Sequence, residues 1–304
     1  MLRLAALSLA ALGLALSPVE ALEWGSTKNL FVFGDSYTTT GWNISAGILS
    51  PVPGFTSSNG PNWVQALTAR YNVTDTAVFN LAYGGATIDS KLVTPYLPTV
   101  QSVVTQVGLW KQFLSPPPAE ARWTGDDSLF AIWIGSADVG NSWSWTNVSG
   151  PAFHTTLMNR LFGQIDTLYA SGARHFLFLD VPPLERTPLF IEQGSAAVAL
   201  VRKQTLDYNA QLTARAHAFA QTHRDATATV FRASDIFNTL LDNAGTLGFV
   251  NITGYSEAYE NGTPTQTTQA VGFAPVSSFF WLNTLHPLFT VHDILAKAIS
   301  TALS

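Results

Sequence analysis

Asn29-Leu30-Phe31-Val32-Phe33-Gly34-Asp35-Ser36-Tyr37-Thr38 is the stretch that decides the fold. The apolar run over 30–33 predicts a buried strand, and Gly34-Asp35 ends it. A serine at a tight strand-to-helix turn can expose its hydroxyl near backbone N–H donors, as an acyl-transfer nucleophile requires. Gly-Asp-Ser by itself also fits an ordinary turn.

Working outward, the same alternation repeats. Short apolar runs at 78–82, 129–134, 176–179 and 229–231 predict further strands, and helical spacing covers 63–71, 99–114, 155–171, 196–222 and 291–303. Strand followed by helix, about five times over, implies a parallel sheet covered on both faces. Such sheets gather their reactive groups at the carboxyl ends of the strands. After the second run come Gly84 and Gly85, where a backbone N–H can approach a ligand without a side chain in the way. After the third come Gly135-Ser136-Ala137-Asp138, and near the end Asn283-Thr284-Leu285-His286-Pro287. His286 is a candidate base, in competition with His154, His175, His217, His223 and His292. The paired glycines also fit a plain turn, and a lone histidine also fits a structural role.

Composition sets the limits. Of 304 residues 47% are hydrophobic, which supplies a core and excludes disorder as the main state. Only 12% are charged, about half the ~25% usual for soluble domains, and the net charge is −5. That balance excludes nucleic acid as the expected partner. With no cysteine, disulfides, thiolate nucleophiles and thiolate metal sites are excluded. Arg3, the apolar run over 4–16 and Val19-Glu20-Ala21 read as a signal peptide over 1–21, followed by one domain over 22–304. The run is too short to cross a bilayer, and no later stretch is long enough. Five sequons, at Asn43, Asn72, Asn147, Asn251 and Asn261, predict a secreted, extracellular glycoprotein. The segment 251–275, rich in Gly, Thr and Gln, reads as a surface excursion, and Pro116-Pro117-Pro118 as a loop.

In their order and spacing, these blocks resemble the GDSL, or SGNH, hydrolase superfamily from about Asn29 to Leu303. Phe33-Gly34-Asp35-Ser36-Tyr37-Thr38, Gly84-Gly85-Ala86-Thr87, Val181-Pro182-Pro183-Leu184-Glu185-Arg186-Thr187-Pro188 and Phe280-Trp281…His286-Pro287 resemble the fungal secreted acetylesterases of carbohydrate esterase family sixteen. The resemblance implies a three-layer α/β/α sandwich with a mainly parallel five-stranded sheet. It implies Ser36 as nucleophile, His286 as base, and the N–H groups of Ser36 and Gly85 in an oxyanion hole. No metal or other cofactor is implied. The expected substrate is a short-chain ester on a plant cell-wall oligosaccharide, and the protein is expected to act as a monomer.

Two positions depart from the family pattern. Ala137 stands where a side-chain amide would complete the oxyanion hole. Asn283 stands where an aspartate would orient the histidine. These changes keep an alternative open: an impaired or inactive protein of this fold that binds carbohydrate or a protein partner. A general short-chain esterase or lipase is a further reading. Tyr37, Trp42, Trp143, Trp145 and Trp281 flank the blocks; Tyr37 and Trp281 are the substrate-binding candidates, against the alternative of core packing.

Overall fold

The computed structural model describes residues 20–72, 74–260 and 269–304. The proposed signal peptide lies almost wholly outside the described residues, as does Asn261. Strands β1 (Asn29–Gly34), β2 (Ala77–Asn80), β3 (Ser128–Trp133), β4 (His175–Leu179) and β5 (Thr227–Phe231) form one parallel sheet in the order β2-β1-β3-β4-β5. The chain leaves β1 toward one edge and returns past it to β3. The carboxyl ends of β1 and β3 therefore flank the switch point where ligands bind in such sheets.

Between and after the strands run α1 (Trp63–Ala69), α2 (Val103–Leu114), α3 (Ser136–Ser142), α4 (Gly150–Ala170), α5 (Pro188–Ile191), α6 (Ser195–Thr222), α7 (Ala233–Asp242), α8 (Ala244–Leu247) and α9 (Phe289–Ala302). Alternate residues of each strand serve opposite faces. Phe31, Phe33, Phe130, Ile132, Phe176 and Phe178 pack against α2, α4 and α6. Leu30, Val32, Leu129, Ala131, Leu177 and Leu179 pack against α1, α7 and α9. The result is the three-layer α/β/α sandwich that the strand–helix alternation implied. On the first face Phe31 stacks between Phe79 and Phe130, at centroid distances of 5.0 and 4.8 Å. Each such pair contributes about 0.5–1.5 kcal/mol beyond its buried area.

One expectation needs correction. The segment 251–275 is not simply an excursion: it opens with β6 (Asn251–Tyr255), which pairs in parallel with β7 (Phe279–Trp281). Ile252 and Tyr255 pack on the core beside α7 and α9, and that burial outweighs the turn-like composition. No helix among the described residues is long and apolar enough to cross a membrane.

The end of β1 is held from the side. Gln106 of α2, fully buried, accepts from the Gly34 N–H at 3.0 Å and donates to the Gly34 carbonyl at 2.8 Å and to that of Gln101 at 2.9 Å. A Cβ at Gly34 would run into the Trp133 carbonyl of β3, so only glycine permits this approach. A Gln106→Leu variant keeps the volume and leaves a buried Gly34 N–H unpaired. It is expected to lose about 1–3 kcal/mol, read as a lower urea midpoint with an unchanged slope.

Candidate active site

Ser36 sits in the turn that follows β1. The turn closes through N–H donation from Thr38 and Thr39 to the Asp35 carbonyl, at 3.1 and 3.0 Å, and from Tyr37 to the Asp35 carboxylate at 3.0 Å. Two buried carboxamides grip it. Asn62 caps α1 and donates to the Thr38 and Thr39 carbonyls, both at 2.9 Å, and Asn80 donates to the Thr38 carbonyl at 2.7 Å. The Thr38 and Thr39 carbonyls of this buried turn are thereby paired, as burial requires.

His286 arrives from the other end of the chain, between β7 and α9. Its Nε2 lies 2.7 Å from Ser36 Oγ, and its Nδ1 lies 3.0 Å from Asn283 Oδ1. The same Oδ1 accepts the backbone N–H groups of Leu285 at 3.0 Å and His286 at 2.9 Å. Those two donors fix which end of the amide faces the ring, because only oxygen can accept them. Nδ1 therefore carries the imidazole proton, and Nε2 is free to accept the serine O–H. Loss of hydration pushes the His286 pKa down to about 4, so the ring is neutral in mildly acid and neutral solution. A serine hydroxyl bonded to a neutral, oriented imidazole can act as an activated nucleophile.

Donors for a developing negative charge stand beside it. Among the described residues the N–H groups of Ser36 and Gly85 donate to no protein acceptor. Gly85 has φ +76°, and a Cβ there would fall within the Tyr96 ring. Ser36, Gly85, Ala137 and His286 line a single cavity of about 350 Å³, together with Ser57, Tyr96, Ser136, Asn141, Leu189 and Phe190. Beneath it lie two buried acids. Asp138 accepts the Ile88 N–H on both oxygens, at 3.0 and 3.1 Å, which ties the glycine loop to α3. Burial pushes the carboxyls of Asp35 and Asp138 up to about 7, against the pull of their backbone donors.

Of the two aromatic candidates, one falls elsewhere and the other borders the cavity from the core. Trp281 is 1% exposed, packs among Phe237 and Phe280, and donates to the Ile252 carbonyl at 2.7 Å, so the structure does not bring it to the cavity. Tyr37 borders the cavity but is also 1% exposed. Its hydroxyl donates to the Leu285 carbonyl at 2.6 Å and its ring meets His286 edge-on, which makes it a support for the His286 loop rather than a sugar platform. Trp42 packs on Phe79, Trp143 on Phe190 and Trp145 on Phe153. The exposed ring on the cavity wall is Tyr96, 70% exposed. Its one legible signal was its place in Pro95-Tyr96-Leu97-Pro98, where prolines exclude a regular element. Phe190 and Leu189 were hidden for a different reason: the segment after Thr187 reaches the site because the Leu189 N–H donates to Thr284.

The remaining histidines lie elsewhere. His154 pairs with Asp207, His175 opens β4, His217 lies on α6 and His223 caps it. His292 is buried on α9 near Tyr37, and burial pushes its pKa down to about 3. Asp293 pairs with Arg70. Asn43 and Asn147 are exposed, whereas Asn72 and Asn251 are half-buried. Among the described residues no group of three His, Asp or Glu side chains comes together to hold a metal.

The chain is similar to known proteins. The family model described as GDSL-like lipase/acylhydrolase matches residues 30–299. An acetylesterase of Thermothelomyces thermophilus is 34% identical over 294 residues, covering 94% of this chain and 91% of that protein. An acetylesterase of Hypocrea jecorina is 27% identical over 180 residues, covering 54% of this chain and 50% of that protein. A solved structure of a carbohydrate acetylesterase from Sinorhizobium meliloti superposes with a TM-score of 0.50 at 16% identity, over 91% of this chain and 98% of that one, and so speaks to the fold alone. From β1 to the final helix, this chain belongs to the GDSL-like lipase/acylhydrolase family and is a carboxylic ester hydrolase.

Proposed function

We propose that the protein is a secreted serine esterase that removes acetyl groups from plant cell-wall oligosaccharides through a Ser36–His286 acyl-enzyme mechanism. The observation that carries this reading is the 2.7 Å contact from Ser36 Oγ to His286 Nε2, with Nδ1 held by the Asn283 oxygen. Acetylesterase relatives support the acyl group. The modest cavity suits a short acyl chain, and the exposed Tyr96 ring offers a face on which a sugar can stack. The N-terminal segment over 1–21 and the sequons support export and glycosylation of one domain over 22–304.

In this reading Ser36 Oγ attacks the ester carbonyl while its proton passes to His286 Nε2. The carbonyl oxygen becomes an oxyanion facing the Ser36 and Gly85 N–H groups. His286 then returns the proton to the departing sugar hydroxyl as the C–O bond breaks. Water, deprotonated by the same Nε2, attacks the acetyl-serine, and collapse of the second oxyanion releases acetate and restores Ser36. Asn283 holds the imidazole in place throughout, and its oxygen accepts the Nδ1 proton more strongly once the ring is charged.

Four results are expected. Ser36→Ala abolishes hydrolysis of p-nitrophenyl acetate in the folded protein; equal activity in parent and variant would overturn the reading. The base is the neutral ring, so kcat/KM falls as pH drops through the His286 pKa, with its acid limb near about 4 rather than near the usual ~6.5. Asn283→Asp places a carboxylate beside the ring and favours imidazolium, so the limb moves upward and kcat rises. That gain is expected to fall well short of the ~10⁴ typical of correcting a wrong tautomer, because the tautomer is already right. Finally, Tyr96→Ala is expected to raise KM for acetylated xylo-oligosaccharides by about 10-fold, the worth of one stacked ring, and to leave kcat on p-nitrophenyl acetate little changed.

A further inference from the structure

Four polar side chains on the cavity wall have no hydrogen-bond partner among the described residues: Ser57, Tyr96, Ser136 and Asn141. Asn141 has the placement that matters. It lies on α3 one turn after Ala137, and both line the cavity. At 100° per residue, positions 137 and 141 point about 40° apart, whereas 136 points about 100° away. Helical side chains also lean toward the N-terminus, so the patch covered by residue 141 lies over residue 137. The Ala137 methyl leaves that patch open, and the intervening Gly140 puts no side chain in the way.

The Ser36 and Gly85 N–H groups supply two donors to an oxyanion, which has a third lone pair to satisfy. We propose that Asn141 is the third donor. Its Nδ2 turns over Ala137 to meet the ester carbonyl oxygen as that oxygen becomes negative, which makes Asn141 a catalytic residue. Its own carbonyl oxygen stays hydrated at the exposed rim. This inference rests on the acyl-enzyme reading of Ser36.

The test is steady-state kinetics on p-nitrophenyl acetate for the parent, Ser36→Ala, Asn141→Ala, Asn141→Asp, Ser136→Ala and the pair Ala137→Asn/Asn141→Ala. Asn141→Asp keeps the shape and removes the donors, so it controls for packing. Both Asn141 variants are expected to lose roughly 10²-fold in kcat, with KM nearly unchanged and the unfolding midpoint retained. Ala137→Asn, which hangs an amide one turn earlier on α3 and on the same cavity wall, is expected to restore most of that loss. The inference is overturned if Asn141→Ala stays within about twofold of the parent, if only KM changes, or if Ser136→Ala carries the loss instead. An active Ser36→Ala overturns the acyl-enzyme reading and this inference with it. An inactive Ser36→Ala beside an unaffected Asn141→Ala overturns this inference alone.

Discussion

A central strand that ends inside a protein leaves backbone groups with no water to turn to, and the end of β1 shows how that constraint shapes everything around it. Gly34 must be paired where the ladder runs out, and the Gln106 carboxamide pairs both its N–H and its carbonyl. That fixes α2 against the sheet and fixes where the chain turns. The turn in turn fixes Ser36, with Asn62 and Asn80 holding its far side. Three neutral amides thus set the position of the reactive hydroxyl. Each is worth only about 1 kcal/mol net, but far more to leave unpaired.

The same economy recurs at His286. One amide oxygen collects three N–H groups, two from the backbone and one from the ring. The backbone pair makes the amide a fixed acceptor, so the orientation that an aspartate secures by charge is secured here by geometry. What is given up is electrostatic stabilisation of the charged ring, which would have opposed the loss of hydration that pushes the His286 pKa down.

Much of this was legible in the chain. The five apolar runs became the five strands, because parallel strands buried on both faces need unbroken apolar sequence. Ser36 and Gly85 stood out because turn chemistry marks the carboxyl ends of those strands, and His286 because it stands just before the last helix. The boundaries were less clear: α2 begins at Val103, and α4 starts early at Gly150 with Pro151 in its first turn. β6 was masked by sequon and glycine composition. Trp281 misled because an aromatic beside a motif reads the same whether it faces the cavity or the core. Tyr96 and Asn141 reach the cavity by tertiary placement, which periodicity does not encode. Asn283 was visible as a departure, but the orientation of its amide depends on two backbone donors that only folding supplies.

The buried acids under the cavity carry one more consequence. Between about 4, where His286 takes up a proton, and about 7, where Asp35 and Asp138 lose theirs, none of these groups bears a charge. In mildly acid solution the reactive centre is therefore electrically silent. Dissolved salt finds no resting charge on these three groups to screen. Selection among esters under those conditions falls to the shape of the opening.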